Sequence, residues 1–341
     1  MTAPRYDVVA IGNAIVDVIA HADDAFLGRH DMHKGGMMLI DKDRAAVLYE
    51  SMGPGIESSG GSAANTVAGL ASLGARAAFV GKVADDQLGR IFRHDITAIG
   101  AHYDTAPLNG QAGNDALDKS TARCLILVTP DGQRTMNTYL GACTALGPDD
   151  IDEALFASGL ITYIEGYLWD EPRAKDAIVK AAAAAREAGR KVALTLSDSF
   201  CVDRHRETFI ELTSGFVNLL FANEAEILSL YQTEDFDEAL ARVKGHADIA
   251  AITRSEKGSV VLAGDEVITV PAEPVEKVVD TTGAGDLYAA GFLRGLTSGH
   301  ALADCARMGH VCAAEIISHF GPRPEVASLA DLVSERMGRA A

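Results

Sequence analysis

Residues 280–286 read DTTGAGD and are followed at once by the apolar run LYAAGFLRGL at 287–296. The apolar run is typical of a buried helix, so the polar stretch would lie at its N-terminus. A helix N-terminus presents unpaired backbone amides and a partial positive charge, and glycine lets a ligand come close to those amides. We therefore predict that Gly283, Ala284 and Gly285 form an anion cradle.

Asp286 is an unexpected neighbour for such a cradle, because its carboxylate would repel a bound anion. A carboxylate at this point is useful if it takes up a proton while a phosphoryl group is attacked, and the amides would stabilise the charge that develops. A simple glycine-rich turn closed by an acidic residue explains the same residues without a ligand. Other phosphate motifs do not match, since Arg76 replaces the first glycine of a Walker A loop that would end at Gly81-Lys82.

Short β-branched segments alternate with helical segments on both sides of this motif. The predicted strands are 6–12, 76–83, 160–166, 191–197, 216–222 and 248–254, and the predicted helices are 62–74, 86–100, 171–189 and 223–231. Such alternation is typical of an α/β fold, and we predict a doubly wound, mostly parallel sheet with helices on both faces.

Two regions interrupt this alternation. Residues 13–21 and 36–41 resemble additional strands, and 121–139 predict a hairpin that turns at Asp131-Gly132, after a polar loop at 108–120. We interpret these pieces as a small β-sheet lid, formed by about 13–50 and 102–142. The lid would belong to a single domain that spans 1–341, whose C-terminal part, 223–341, would carry the nucleotide.

Composition limits the classes of partner. The formal net charge of −18 makes nucleic-acid binding unfavourable, although a local array of amides can still bind a small anion. The five cysteines form no C-x-x-C pair, which favours a reducing compartment over a disulfide scaffold. The N-terminus resembles a first strand rather than a signal peptide, and no apolar stretch is long enough to span a membrane, so we expect a cytoplasmic protein.

The opening motif resembles a known family signature when its sequence context is included. DTTGAGDLYAAGFL (280–293) is similar to the C-terminal signature of the ribokinase-like (PfkB) carbohydrate kinases, and GGSAAN (60–65) with GKVADDQLG (81–89) resembles their N-terminal one. Within the family, three segments are most similar to adenosine kinases: GNAIVD (12–17), RTMNTYLGA (134–142) and ARMGHVCAAEIISHFG (306–321). The resemblance covers nearly the whole chain and implies the ribokinase-like fold.

The resemblance also implies a phosphate acceptor site. In the family, the position of Asp17 chelates two adjacent sugar hydroxyls, which suits a carboxylate that accepts two hydrogen bonds. Gly61 would let the sugar approach the backbone and Asn65 would bind a hydroxyl. The implied acceptor-binding residues are Asn13, Asp17, Gly60, Gly61, Asn65 and Asn137. Each has a simpler explanation, since Asp17 suits an exposed strand position and the glycines suit the start of a helix.

On the nucleotide side, the resemblance implies that Asn223, Thr253, Gly258 and Gly285 bind ATP. Glu226 would hold Mg²⁺ through water, although Asn223 and Glu226 also form a capping-box pattern that needs no ligand. Asp280 and Thr282, with the backbone near Gly321, match the family's site for a monovalent cation such as K⁺.

These residues predict an ATP-dependent kinase that phosphorylates a primary hydroxyl of a ribose-containing substrate, with the 5′-hydroxyl of adenosine as the leading candidate and Asp286 as the base. Two alternatives stay open. One is a kinase of a free sugar such as ribose, fructose or a keto-acid sugar, which Met37 favours because some adenosine kinases have a polar residue there. The other is a non-catalytic nucleotide sensor. We expect a monomer or a homodimer.

Overall fold

The computed structural model describes residues 3–109 and 119–338. The strands are β1 Tyr6–Ile11, β2 Ile15–His21, β3 Met37–Leu39, β4 Gly55–Gly60, β5 Ala77–Val80, β6 Ala122–Val128, β7 Arg134–Tyr139, β8 Gly159–Glu165, β9 Lys191–Thr195, β10 Leu219–Asn223, β11 Ile249–Thr253, β12 Ser259–Ala263 and β13 Glu266–Val270. The helices are α1 Asp24–Arg29, α2 Lys42–Ser51, α3 Ser62–Ser72, α4 Gln87–Ala98, α5 Glu153–Ala157, α6 Pro172–Glu187, α7 Ser199–Gly215, α8 Glu224–Tyr231, α9 Phe236–Val243, α10 Ala284–Thr297, α11 Leu302–Ile316 and α12 Leu329–Gly338.

Eight strands form the main sheet, in the order β13-β12-β11-β10-β9-β8-β1-β5. Six adjacent strands of this sheet run parallel, namely β5, β1, β8, β9, β10 and β11. The strands β12 and β13 add an antiparallel edge. Successive side chains of a strand point to opposite faces. In β1, Val8 and Ala10 therefore join one buried apolar cluster while Val9 and Ile11 join the other. The sheet is covered on both faces, as the sequence predicts.

A second sheet of five strands has the order β3-β7-β6-β2-β4. The predicted hairpin is present, because β6 and β7 pair antiparallel and Gly132 in the turn has a φ of 79°. The predicted lid segments omitted β4, whose sequence GIESSG has little strand propensity. This strand forms because it pairs with β2 at the edge of the sheet. Most of the predicted polar loop at 108–120 lies outside the described residues.

No helix among the residues described, 3–109 and 119–338, is long and apolar enough to cross a membrane. The helix that follows the opening motif, α10, packs closely against α11. A Cβ atom added to Gly291 of α10 would lie 2.5 Å from the Met308 carbonyl oxygen and 2.7 Å from Gly309 Cα, so only glycine fits this crossing. The crossing fixes the helix whose N-terminus carries the motif.

We predict that Gly291→Ala destabilises the protein by about 1–3 kcal/mol, because the added methyl group meets the backbone of a neighbouring helix that cannot yield freely. Urea denaturation measures the free energy of unfolding. Gly28→Ala is the matched control, since Gly28 lies in α1 and, apart from its own helix backbone and chain neighbours, no atom of the described residues lies within 4 Å of an added Cβ. That variant should be unchanged or more stable, by up to about 1 kcal/mol. Equal effects of the two substitutions would contradict the packing argument.

Candidate active site

The motif places the predicted anion cradle at the N-terminus of α10. Gly283 is the N-cap residue, with a φ of 80° that glycine adopts without strain. Among the described residues no acceptor pairs with the backbone amides of Gly283, Gly285 and Asp286, whereas the Ala284 amide donates to the Thr281 carbonyl at 3.2 Å. The free amides at this N-terminus therefore include that of Asp286 but not that of Ala284, because the turn that starts the helix already uses the Ala284 amide.

Asp286 lies in the first turn of α10 and reaches the first turn of α3. Its Oδ1 accepts a hydrogen bond from the Ser62 hydroxyl at 2.6 Å, and its Oδ2 accepts one from Asn65 Nδ2 at 3.0 Å. Burial raises the pKa of Asp286 above its usual range, while these two donors and the Arg323 guanidinium oppose the rise. The carboxylate is thus held in one orientation and has a basicity above that of an exposed aspartate.

Asp17 is buried in β2 with 6% of its surface exposed, which excludes the exposed strand position. No donor among the described residues pairs with its carboxylate in a hydrogen bond, so the oxygens are available to hydroxyl groups. Burial raises its pKa to about 7, which the guanidinium groups of Arg323 and Arg134 oppose. A Cβ atom on Gly60 would lie 2.2 Å from Asp17 Oδ2, so Gly60 provides the space that this carboxylate occupies.

Glu165 organises the neighbouring loop, and the sequence analysis missed it. Its Oε1 accepts from Asn13 Nδ2 at 2.8 Å, and its Oε2 accepts from the amides of Ala63 at 2.9 Å and Asn13 at 3.3 Å. Gly61 makes this contact between segments possible, because its φ is 94° and an added Cβ would lie 2.2 Å from the Asn13 carbonyl oxygen. Asn13 is thereby fixed by a carboxylate, which gives it a structural role, and its acceptor-binding role stays a prediction.

Asn65 has one side-chain atom that makes no hydrogen bond with any described residue. Its Nδ2 donates to Asp286, and its Oδ1 is a buried acceptor that has no hydrogen bond within the described residues. A buried polar atom without a partner is costly, and a ligand hydroxyl would remove that cost. This atom supports the predicted role of Asn65.

Arg323 is a second residue that the sequence analysis missed. It donates to the Ser59 carbonyl at 2.8 Å, to the Ala64 carbonyl at 2.8 Å and to the Ser59 hydroxyl at 3.0 Å. Burial lowers its pKa to about 10, and the nearby carboxylates of Asp17, Asp95 and Asp286 oppose that shift. Arg323 therefore ties the chain on both sides of Gly60-Gly61 and supplies a positive charge that acts on both Asp17 and Asp286.

Two adjoining cavities of about 550 and 590 Å³ open beside the cradle. The first includes Asn223 and Glu226, the second includes Gly258, and Thr253, Ala284, Gly285 and Tyr288 line both. The predicted nucleotide-binding residues Asn223, Thr253, Gly258 and Gly285 thus converge on one elongated space. The residues around it include Ser62, Thr195 and Ser197, so the space extends beyond the predicted 223–341 segment.

Asn223 and Glu226 form the capping box of α8. The Glu226 carboxylate accepts from the Asn223 amide at 3.0 Å and from Asn223 Nδ2 at 2.6 Å. Burial raises the pKa of Glu226 to about 7. In the described part of the chain no three His, Cys, Asp or Glu side chains cluster as a direct metal site. A carboxylate that lines a cavity but is already hydrogen-bonded fits Mg²⁺ held through water, since Mg²⁺ retains several waters.

Asn137 points away from Asp17 and the other predicted acceptor-binding residues. Its predicted contact with substrate is therefore wrong. Asp17 pairs with Cys124, and Cys124 pairs with Thr138, so these three residues share one face of the second sheet. Asn137 is the next residue along β7 and points to the opposite face. There it is 2% exposed and donates to Met32 Sδ at 3.5 Å.

Asp280 and Thr282 lie together at the start of the motif. The Asp280 carboxylate accepts the Thr282 amide at 3.0 Å and the Gly321 amide at 2.9 Å. The guanidinium of Arg134, from β7 of the second sheet, forms an ion pair with Asp280 and donates to Thr282 Oγ1 at 2.8 Å. The sequence analysis did not single out Arg134, because an isolated arginine in a strand has no local signature.

The burial of Glu165 predicts a pH dependence of stability. Its pKa is about 7 in the folded protein, against 4.5 for an ordinary glutamate, so the native state binds more protons between these pH values. The free energy of unfolding should therefore fall as pH rises from about 4.5 to 7. Glu165→Gln should remove this contribution and gain roughly 1–3 kcal/mol relative to wild type across that window.

Denaturation at several pH values measures the difference between variant and wild type. The substitution also removes a hydrogen-bond acceptor, which lowers the free energy of unfolding by the same amount at every pH. That loss does not change the slope of the free energy of unfolding against pH. Exposed Glu187→Gln in α6 is the control and should follow the wild-type curve. If the free energy of unfolding of Glu165→Gln changes with pH in the same way as that of wild type, the Glu165 carboxyl has an ordinary pKa.

Comparisons with known proteins identify the fold. The structure superposes on an adenosine kinase from Sinorhizobium meliloti with a TM-score of 0.89 and 56% identity, covering 99% of this chain and 100% of the other. A probable sugar kinase from Rhizobium etli CFN 42 gives a TM-score of 0.89 and 51% identity, with 98% and 99% covered. Both matches confirm the predicted ribokinase-like α/β fold.

Sequence comparison reaches the same family. An adenosine kinase from Saccharomyces cerevisiae is 28% identical over 353 residues, which cover 94% of this chain and 97% of that protein. Residues 55–328 match the model of the pfkB family of carbohydrate kinases, and this range includes both the GGSAAN and the DTTGAGD segments. The chain therefore belongs to the pfkB carbohydrate kinase family, whose members are phosphotransferases with an alcohol group as acceptor.

Proposed function

We propose that this kinase transfers the γ-phosphate of ATP to the 5′-hydroxyl of adenosine or a closely related nucleoside. The observation that carries the proposal is the position of Asp286, which joins the amide cradle of α10 to the first turn of α3. A base in this position can take a proton from an acceptor hydroxyl while the cradle binds the phosphoryl group that the hydroxyl attacks. The similarity to adenosine kinases supports a nucleoside as acceptor.

The acceptor would bind between Asp17 and Asn65. The two oxygens of Asp17 suit the vicinal hydroxyls of a ribose, because they have no other donor among the described residues. The buried Oδ1 of Asn65 would accept from a further hydroxyl. Gly60 leaves room for the Asp17 carboxylate, and Gly61 lets the start of α3 approach Asn13, so both glycines would help to hold the carboxylate in place for the sugar. Bound in this way, the ribose would present its primary hydroxyl to Asp286.

The residues around the two cavities would bind ATP and Mg²⁺ for phosphoryl transfer. The phosphates of ATP would lie in the first cavity against the amides of Gly283, Gly285 and Asp286, and the adenine in the second, beside Gly258. Mg²⁺, held through water by Glu226 and Asn223, would supply charge neutralisation for the phosphates. Positioning and electrostatic stabilisation account for most of the catalysis in such chemistry.

The face of the second sheet that carries Asp17 favours a nucleoside over a free sugar. Its other residues are mainly apolar: Ile15, Ile19, Cys124, Ile126, Val128 and Met136. Met37 pairs with Met136 and is 48% exposed, so it extends this apolar surface rather than replacing it with a polar group. A planar base has large apolar faces to bury here, whereas the surface of a free pentose or hexose consists largely of hydroxyl groups. We propose that this sheet is a lid that closes on the acceptor and excludes water.

We predict that kcat/KM for adenosine exceeds that for ribose or fructose by at least about a hundred-fold, or roughly 2.7 kcal/mol. The base supplies contacts that a free sugar lacks, and these contacts should also favour lid closure, so both kcat and KM should change. A panel of nucleosides and sugars, assayed for ATP-dependent phosphorylation, measures the ratio. ATP consumption without an acceptor is the control.

Comparable efficiency on a free sugar would contradict the nucleoside assignment and support the sugar-kinase alternative. No phosphorylation of any acceptor, with ATP still bound, would support the nucleotide sensor.

A further inference from the structure

The family resemblance implies a monovalent-cation site at Asp280, Thr282 and the backbone near Gly321, but the residues present do not fit it. The Asp280 side chain is 2% exposed, and its two oxygens accept the amides of Thr282 and Gly321. Arg134 adds a full positive charge to the same carboxylate through an ion pair. Asp280 therefore already has a cationic partner that belongs to the chain.

The Arg134 guanidinium also contacts Thr282, the second residue that the resemblance implies as a ligand of the cation. Arg134 Nη1 donates to the Thr282 hydroxyl at 2.8 Å, and the Arg134 side chain is 10% exposed. Its guanidinium carbon lies 5.8 Å from the centroid of the Phe320 ring, next to Gly321 in the chain. The guanidinium thus contacts the side chains of both Asp280 and Thr282 and lies near the ring of Phe320. A free cation beside it would be repelled by a like charge in a poorly solvated region.

We propose that the guanidinium of Arg134 occupies the position of the monovalent cation, so that this protein requires no K⁺. The charge is delivered by β7 of the second sheet, and Asp280 and Thr282 directly precede the cradle at Gly283. Arg134 therefore fixes the turn before α10 only while the second sheet lies against it. In this protein the positive charge would be supplied by Arg134 when the second sheet closes as a lid, and not by a cation from solution.

The test compares KCl with tetramethylammonium chloride at equal ionic strength, for the wild-type protein and for Arg134→Gln. Two quantities are measured: the Tm, which does not depend on the proposed kinase activity, and kcat/KM with adenosine, which does. The wild-type protein should show the same Tm within about 1 °C and the same kcat/KM within about two-fold in both salts. Arg134→Gln vacates the position, so its Tm should rise by several degrees in KCl.

Two further variants separate charge from position. Arg134→Lys retains a cation on β7 and should be as insensitive to K⁺ as wild type. Arg123→Gln removes another arginine of the second sheet, on β6, and should not gain a response to K⁺. Activation of the wild-type protein by K⁺, or a Tm of folded Arg134→Gln that is equal in the two salts, would overturn the proposal. If Arg134→Gln does not fold, the wild-type and Arg134→Lys comparisons still decide, since K⁺ activation of either would overturn it.

Discussion

The hydrogen bonds of one carboxylate, Asp286, join the two helices on which the site depends. Ser62 and Asn65 in α3 hold its two oxygens, while its own backbone amide lies in the cradle of α10. Residues separated by more than 200 positions in sequence are thereby fixed within one hydrogen bond of each other. A base and an anion site that must act on the same phosphoryl group need such a fixed separation, because catalysis by positioning loses efficiency with small displacements.

The cost of this arrangement is a group of buried charges. Asp17, Glu165 and Asp286 all have pKa values raised by burial, which measures how poorly solvated they are. Arg323 and Arg134 offset part of that cost, since their guanidinium groups lie close enough to oppose the shift at Asp17. Buried charges of this kind seldom add stability and are expected where a site must be ready for a polar ligand. Of the three, only the Asp17 carboxylate has no hydrogen-bond donor among the described residues, which is the state expected of a group that is to bind the hydroxyl groups of a ligand.

The sequence predicts the features whose signals are local. DTTGAGD lies directly before an apolar helix, and the alternation of strands and helices indicates the doubly wound sheet, so both could be inferred. Arg323 and Glu165 could not, because they contact backbone atoms 264 and 102 residues away and a single charged residue has no local pattern. Asn137 was included among the acceptor-binding residues although it points away from Asp17, since sequence similarity in a strand does not show to which side a residue points. β4 was missed because pairing with β2, rather than its own propensity, makes it a strand.

The central claim is that Asp286 takes the proton from the acceptor, and Asp286→Asn tests it most directly. The amide has nearly the same shape and can no longer act as a base. We predict that kcat falls by about 10²–10⁴-fold while ATP and adenosine, measured by calorimetry, bind no more weakly than to wild type. Exposed Asp331→Asn, in the first turn of α12, is the matched control and should leave kcat unchanged. A variant that retains more than about a tenth of the wild-type kcat would contradict the account.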